Sequence, residues 1–444
     1  MATRKIGFLL KGTRLHEIWR AEGKPIALLS LANYCNAAAL LGCNMIIGRQ
    51  LGPVEFGFFA VFLSVAPVIF ELTGYGLDAA MVRFAAPFVP ARPDKAAEVF
   101  RLVLAWKIAM NAALFALIAP LLKPLLALAS DSPRYPGIIL CAVLMGFAFS
   151  VWRFTLTVFQ TVQAYGRYAL TLVLNGLIRL AAILTAVFVF SLDLPLTMLI
   201  CIGTTVLAAA LGLVLMPGSY RSVKLAWRNS GSLLKEITRF SLWLIMSTLV
   251  FIAVEPVSIF LIGYFRDSRT VGLFAAALIL AKSIDYVNLS VKTVLMPHAC
   301  ALDSRSLWPY TKKCLNITLP IAVLLLPIPL AAKFLVEIFF SSIYLEAVPL
   351  FKVLFWAYWL SLILDPLWLI FYATRKTHYF LWADLLMLAT VLVGAVLMIP
   401  GMGAEGAAYS FLAGRIAGRL LLGILIVFDG RSGSAGVKIS EAVV

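Results

Sequence analysis

Residues 46–60 read IIGRQLGPVEFGFFA, and the pattern of this stretch returns in the second half of the chain. Ile47-Gly48 is followed, nine residues on, by Gly57-Phe58-Phe59-Ala60, and Ile262-Gly263 is followed at the same spacing by Gly272-Leu273-Phe274-Ala275. The copies lie 215 residues apart, about half the chain. Membrane segments can share Gly and Phe by composition alone, but a match that runs without a gap through a whole loop favours duplication.

The stretch also predicts local structure. Gly52-Pro53 predicts a tight turn, because Pro fixes φ and Gly adopts conformations that other residues avoid. Gly57 then allows the following helix to pack closely against a neighbour, since it has no side chain. Both roles are structural, and direct contact with a substrate is the less favoured interpretation.

Apolar runs of about 20 residues predict transmembrane helices. The chain is 62% hydrophobic and 13% charged, whereas a soluble protein carries about 25% charged residues. Twelve spans lie near 26–48, 56–78, 99–120, 137–160, 168–191, 195–216, 240–264, 271–294, 315–336, 347–371, 379–400 and 405–428. Each repeat contains six helices, and because six is an even number both repeats enter the membrane from the same side. We therefore expect an all-α polytopic membrane protein with two six-helix lobes around a central cavity.

The basic residues predict the orientation. About 22 of the 37 Lys and Arg fall in the two termini and in the connections on their side, which assigns that side to the cytoplasm. The predicted division is a basic N-terminal tail (1–25), an N-lobe (26–216), a basic linker (217–239), a C-lobe (240–428) and a C-terminal tail (429–444). The net charge of +16 is thus explained by the membrane topology and by contact of the cytoplasmic segments with anionic lipid. Because the basic residues are not gathered on one soluble face, we expect no nucleic-acid partner.

Other function classes lose support from what the chain lacks. The six cysteines stand singly and the three histidines are far apart, so no metal site is predicted. The sequence has no phosphate-binding loop for ATP, and we expect no cofactor. A membrane glycosyltransferase or polysaccharide polymerase is disfavoured, because such enzymes need a sizeable soluble loop or clustered acid and base residues.

Residues 46–60, with ELTGYGLDAAMVRFAAPF after them, resemble the polysaccharide transporter family. These are the Wzx-type lipid flippases of the multidrug/oligosaccharidyl-lipid/polysaccharide exporter superfamily. The shared pattern is a Leu-Gly-Pro turn, an acidic residue and Gly-x-Phe-Ala, carried here by Leu51, Gly52, Pro53, Glu55, Gly57, Phe59 and Ala60. Related flippases of the peptidoglycan precursor usually have two more helices than this length accommodates.

The resemblance implies a function. It implies alternating access that moves an undecaprenyl-diphosphate-linked oligosaccharide outward across the bacterial inner membrane, for O-antigen, exopolysaccharide or capsule synthesis. Membrane lipids, and polysaccharide polymerase or assembly proteins, are the implied partners. A cation-coupled multidrug antiporter of the same superfamily is the alternative, because it would share the fold.

Several Lys and Arg residues lie within the spans, where each costs about 2.5–3.5 kcal/mol at mid-bilayer unless it faces a cavity or a partner. Cations that line a cavity would favour an anionic cargo. Arg179, Lys282 and Arg415 lie nearest the midplane and suit a diphosphate headgroup. The predicted cavity set adds three more cations and three asparagines for sugar hydroxyls: Arg153, Lys107, Arg83, Asn33, Asn36 and Asn44. Structural alternatives stay open, namely an ion pair of Lys282 with Asp285, hydrogen bonds between helices for the asparagines, and snorkelling of Lys107, Arg153 and Arg419 to the interface.

Four carboxylates are candidates for coupling to a proton or sodium gradient, namely Glu71, Asp78, Glu255 and Asp365. Glu255 and Asp365 each precede a Pro, where a helix frees carbonyl groups that attract water and polar side chains. Pairing with an Arg or Lys of a neighbouring helix is an equally good interpretation of the four.

Overall fold

The computed structural model describes residues 13–74, 77–89, 92–129, 134–221, 230–300, 304–365 and 378–436, which form helices and no strand. The first half contains α1 (Thr13–Gly74), α2 (Leu77–Ala85), α3 (Pro93–Ala129), α4 (Tyr135–Thr161), α5 (Tyr165–Val189), α6 (Leu194–Leu215) and α7 (Gly218–Arg221). The second half contains α8 (Ser230–Phe265), α9 (Ser268–Cys300), α10 (Ser304–Leu325), α11 (Ala332–Phe339), α12 (Ala347–Leu364), α13 (His378–Met402) and α14 (Ala404–Gly436). Short 3-10 turns lie at Ala86–Phe88, Ile328–Ala331 and Ser342–Tyr344.

Helix α1 contains two membrane crossings. Its helical geometry is interrupted at Gly52, where φ is 68° and ψ is 172°. This is a backbone conformation that glycine adopts readily and other residues do not. The tight turn predicted at Gly52-Pro53 is therefore present, and it separates the first span from the second.

The predicted count of twelve spans agrees with the structure. Within the described residues, ten helical stretches are long and apolar enough to cross a membrane. One of them, Ala27–Gly74, is 48 residues long and contains both arms of α1. Counting these arms separately and adding the 33-residue α9 gives twelve crossings.

Each half packs mainly on itself. In the first half α1 packs against α4 and α5, and α4 packs against α6. In the second half α13 packs against α14 and α8, and α12 packs against α9 and α14. The halves meet where α1 contacts α9 and α8. This arrangement is that of two lobes, and the lobe limits of 26–216 and 240–428 stay a prediction.

Four short connections lie at one end of the bundle, which we call the Gly52 end. They are the turn at Gly52, residues 190–193, residues 266–267 and Gly403. Asp193 caps α6 by accepting from the Leu196 N–H at 2.9 Å, and Asp267 caps α9 by accepting from the Thr270 N–H at 2.7 Å. The Thr270 hydrogen bond holds the pKa of the Asp267 carboxyl below its ordinary value. The charge distribution of the sequence predicts that the Gly52 end faces outward.

Candidate functional site

The largest gathering of intramembrane charge in the described residues lies in the second lobe. We call it the C-lobe polar cluster, and four helices contribute to it. Helix α8 supplies Glu255, and α9 supplies Lys282 and Asp285. The other members come from α12 or the residue after it and from α14, namely Tyr358, Ser361, Asp365, Arg415 and Arg419. Three cations thus meet three carboxylates, so the cluster is neutral as a whole.

Lys282 and Glu255 form the accessible part of the cluster. The Lys282 Nζ lies 2.7 Å from the Glu255 Oε2, and the Tyr358 hydroxyl donates to the Glu255 Oε1 at 3.2 Å. The Lys282 side chain is 46% exposed and that of Glu255 24%. Because a charged pair is costly against lipid in the middle of a span, we expect its exposed side to border an internal space. The ammonium thus bonds across to Glu255 of α8, while Asp285 on its own helix is an electrostatic neighbour, so the alternative pairing of Lys282 with Asp285 stays a prediction.

Arg415 lies buried behind this pair. Its guanidinium carbon is 5.2, 4.8 and 5.1 Å from the ring centres of Phe251, Tyr358 and Phe411. Its Nη1 donates to the Ser361 hydroxyl at 3.4 Å. Three aromatic faces stabilise a desolvated cation and hold it in place. Arg415 therefore gives the cluster a fixed positive charge, with Glu255, Asp285 and Asp365 as electrostatic neighbours.

Arg419 and Asp365 form the buried part of the cluster. The Arg419 Nη2 lies 2.8 Å from the Asp365 Oδ1, and both side chains are less than a tenth exposed. The expectation that Arg419 snorkels to the interface is wrong, because its guanidinium turns inward to this carboxylate. Asp384, on α13, accepts from the Ser247 hydroxyl of α8 at 2.7 Å and extends the polar contacts of the lobe.

A second ion pair lies in the first lobe. The Lys107 Nζ is 2.8 Å from the Asp78 Oδ1 and 5.6 Å from the centre of the Phe70 ring. Lys107 is fully buried, so the expectation of snorkelling is wrong for it too. Glu71 is half-buried and has Asp78, Arg153 and Lys107 as electrostatic neighbours. Arg153 is exposed, and the side chain of Arg83 lies outside the described part of the chain.

Arg179 joins two helices of the first lobe. The residue is buried, and its guanidinium donates to the Thr205 hydroxyl at 2.6 Å and to the Thr204 hydroxyl at 3.3 Å. Both threonines belong to α6, whereas Arg179 belongs to α5. Its donors are used within the lobe, and this geometry favours a packing role over the predicted place in a substrate cavity.

The three asparagines of the first span are placed differently from one another. Asn33 donates to the Leu29 carbonyl of its own helix at 2.8 Å, and Asn36 accepts from Asn175 of α5 at 3.4 Å. Asn44 is half-buried. The contact of Asn36 with α5 is a hydrogen bond between helices, which supports the alternative considered from the sequence.

Several members of the C-lobe cluster were not recognised in the sequence. Tyr358 and Ser361 are uncharged, and Phe251 and Phe411 look like any other membrane-facing ring. Tyr358 and Ser361 do lie three apart on one helix, as Arg415 and Arg419 lie four apart on another. That spacing shows that each pair shares a face, but it does not show that the two faces meet.

Comparison with known proteins gives the family. A family model described as polysaccharide biosynthesis protein matches residues 46–349, well over half of the chain. The chain belongs to this family. The resemblance carried by Leu51, Gly52, Pro53 and the residues up to Ala60 is thereby confirmed. Among curated proteins none matches this chain.

Solved structures show the same fold at low sequence identity. A multidrug resistance transporter of the MATE family and MOP superfamily, in an inward-facing conformation, has a TM-score of 0.73 at 15% identity over 91% of this chain and 96% of that one. The lipid II flippase MurJ, in an inward closed conformation, has a TM-score of 0.70 at 12% identity over 90% and 87%. A eukaryotic MATE transporter has a TM-score of 0.64 at 14% identity over 92% and 96%. The chain is therefore a multi-pass membrane protein of the polysaccharide biosynthesis protein family, and its fold is the one that these transporters share.

Proposed function

We propose that this protein is a flippase that moves undecaprenyl-diphosphate-linked oligosaccharides from the cytoplasmic to the outer leaflet of the bacterial inner membrane. The cargo would then serve O-antigen, exopolysaccharide or capsule synthesis, with a polysaccharide polymerase or assembly proteins downstream. The family supports a role in polysaccharide biosynthesis. The observation that carries the cargo assignment is the Lys282 ammonium, which is 46% exposed in a predicted span where a cation is costly unless it faces a cavity or a partner.

Lys282 suits a diphosphate because its present partner can be replaced. A partly exposed ion pair is weak, since water competes for both charges. Phosphate oxygens accept charge-assisted hydrogen bonds from an ammonium group, so an entering diphosphate can take the place of Glu255. Arg415 stays behind with its charge fixed and keeps the surroundings attractive to an anion.

The exchange frees Glu255 and thereby links cargo to an ion. Once Lys282 turns to a phosphate, Glu255 retains the Tyr358 hydroxyl and has lost its ammonium partner. A carboxylate in that position is stabilised by a proton or a sodium ion. Binding of cargo and binding of a cation then favour each other, because two ligands that promote the same state are reciprocally coupled. Glu71, Asp78 and Asp365 have cationic neighbours and are secondary candidates for this role.

Glu255→Gln is expected to lower transport and to flatten its dependence on pH, while the amount of folded protein stays the same. The amide keeps the shape of the side chain and removes the group that takes up the cation. Transport in cells is measured between pH 6 and 8 as the appearance of surface polysaccharide, a range chosen to span about one unit either side of neutrality. Glu405→Gln, at an exposed carboxylate outside the cluster, is the control. A pH profile in Glu255→Gln that matches the control would remove Glu255 from the coupling mechanism.

A cation-coupled multidrug antiporter is the second candidate, and the three carboxylates of the C-lobe cluster favour it. A strain lacking the gene separates the two. Loss of surface polysaccharide, with lipid-linked oligosaccharide accumulating on the cytoplasmic leaflet, supports the flippase. Normal polysaccharide with altered sensitivity to cationic drugs would transfer the assignment to the antiporter. Continued accumulation of unlinked sugar precursors, without the lipid-linked intermediate, would indicate an enzyme of the pathway.

A further inference from the structure

The two copies of the repeated stretch touch each other at the Gly52 end. A methyl group added at Gly57 would overlap the Ser268 carbonyl and lie 3.0 Å from the Gly272 nitrogen. A methyl group added at Gly272 would overlap the Pro53 carbonyl and lie 3.0 Å from the Gly57 nitrogen. Pro53 and Ser268 are themselves 215 residues apart, like the two glycines. The second arm of α1 and the first turns of α9 therefore cross backbone against backbone with approximate twofold symmetry.

The first glycine of each copy follows the same symmetry. The Tyr344 hydroxyl, from the second lobe, donates to the Gly48 carbonyl at 2.8 Å. A methyl group at Gly263 would lie 3.1 Å from the Tyr135 hydroxyl, which belongs to the first lobe. Tyr135 begins α4 and Tyr344 precedes α12, and these are the fourth spans of their lobes. Each copy of the motif thus receives a tyrosine from the other half of the protein.

Buried rings close the space around the crossing. Phe56 packs against Phe340 and Tyr344, with ring centres 5.6 and 6.1 Å apart, and Phe58 packs against Tyr135 at 5.5 Å. All five rings are buried. A contact between lobes that is apolar and has glycine backbones at its centre is closely packed, and a charged headgroup cannot cross it unless the lobes part.

Arg49 adds a polar contact at the rim of the crossing. Its guanidinium donates to the Ile338 carbonyl, and to the Glu337 carbonyl at 3.4 Å, at the C-terminal turn of α11. A cation is favourable there because the last carbonyls of a helix carry partial negative charge. Arg49 belongs to the first half and α11 to the second, so this exposed contact also joins the lobes and can break without leaving a buried charge.

We propose that the duplicated glycine motif is the closed outer gate of the translocation pathway, and that Arg49 and Tyr344 latch it. Lys282 lies ten residues along α9 from Gly272, about 15 Å deeper in the membrane. The crossing therefore stands between the internal space that Lys282 borders and the Gly52 end. Alternating access requires the lobes to part at one end for cargo to leave. The inference goes beyond the proposed function and holds whatever the cargo is.

Thiol labelling tests the gate without any cargo. The reporter is Lys282→Cys combined with Glu255→Gln, in a background without the six native cysteines, so that no unpaired charge remains. Ser191→Cys, in the connection between α5 and α6, reports which side the Gly52 end faces. A membrane-impermeant maleimide is applied to intact cells and to inverted vesicles. We expect the reporter to be labelled only from the side opposite Ser191→Cys.

Glycine variants should open the gate. Gly57→Ala and Gly272→Ala force the crossing backbones apart, so labelling of the reporter from the Ser191 side should rise at least about tenfold above the background that the unaltered gate gives. Gly137→Ala is the matched control, because this glycine is also near the Gly52 end but a methyl group there meets nothing within 4 Å. Arg49→Gln removes the hydrogen bonds to the Glu337 and Ile338 carbonyls, and Tyr344→Phe removes the one to the Gly48 carbonyl. Neither adds bulk, and both should give a smaller increase in the same direction.

The milder variants keep the test decisive if an alanine variant fails to fold. Folding is checked by the amount and monodispersity of the purified protein. If labelling from the Ser191 side stays at the level of Gly137→Ala in every folded variant, the crossing is a structural contact and not a gate. Labelling of the reporter from the Ser191 side in a protein whose gate residues are unchanged would overturn the proposal as well. Neither result bears on the identity of the cargo.

Discussion

Lys282→Gln is expected to lower transport at least about tenfold, because it removes a charged donor to a phosphate oxygen that is worth about 1.5–3 kcal/mol in a partly desolvated site. The side chain is accessible, so its loss should affect cargo binding more than folding. Transport is measured as surface polysaccharide per cell, together with lipid-linked oligosaccharide on the cytoplasmic leaflet. Lys333→Gln, at an exposed cation of α11 outside the cluster, should leave both quantities unchanged.

Two further variants separate a substrate contact from a structural ion pair. Lys282→Arg keeps the charge and should retain more activity than Lys282→Gln. The double variant Lys282→Gln with Glu255→Gln removes both charges of the observed pair. If Lys282 served only to neutralise Glu255, the double variant would transport as well as Glu255→Gln alone. Equal transport by these two variants would contradict the assignment of Lys282 to the cargo.

Arg419→Gln is expected to reduce the amount of folded protein severely. The substitution breaks the buried ion pair of Arg419 with Asp365, and breaking such a pair costs about 3–5 kcal/mol. Total stabilities of proteins are only about 5–15 kcal/mol, so this loss is large. The measurement is the thermal midpoint of the detergent-solubilised protein, with its abundance in the membrane.

Matched variants show whether burial is the cause. Arg269→Gln breaks an ion pair with Glu346 whose side chains are 48% and 61% exposed, and it should lower stability by less than about 1 kcal/mol. Arg419→Gln combined with Asp365→Asn removes both buried charges and should recover most of the abundance. Equal thermal midpoints for Arg419→Gln and Arg269→Gln would contradict the buried character of the Arg419–Asp365 pair.

The fold was predictable from the sequence because its signals are local. Apolar runs of span length require helices in a bilayer, and the spacing from Gly48 to Gly57, repeated at Gly263 and Gly272, indicated two equivalent halves. The turn at Gly52 followed from the Gly-Pro pair. Each of these inferences needs only neighbouring residues or a comparison of the chain with itself.

The pairing of charges was not predictable in the same way. Which residue Lys282 bonds depends on how α8 and α9 are rotated about their axes, and the sequence constrains that rotation weakly. The candidate partner on the same helix, Asp285, was visible, whereas Glu255 required the packing of two helices. Snorkelling of Lys107 and Arg419 was inferred from depth alone, whereas both side chains form ion pairs with carboxylates outside their own helices.

The role of Gly57 was predictable from the sequence only in part. Its lack of a side chain predicted a close helix contact, and the structure has that contact. Its partner, Gly272, is the equivalent residue of the other copy, and this could not be known before the two lobes were placed together. A duplicated motif that contacts its own copy explains why both glycines are present.

Reconstitution measures the central claim most directly. Purified protein is placed in liposomes that contain an undecaprenyl-diphosphate-linked oligosaccharide in both leaflets, and a soluble glycosidase attacks only the outer-leaflet sugar. The account predicts that inner-leaflet molecules become cleavable with the unaltered protein, and at a rate lower by at least about tenfold with Lys282→Gln. Cleavage that stops at the outer-leaflet fraction in the presence of folded, unaltered protein, under either direction of an imposed proton or sodium gradient, would contradict it.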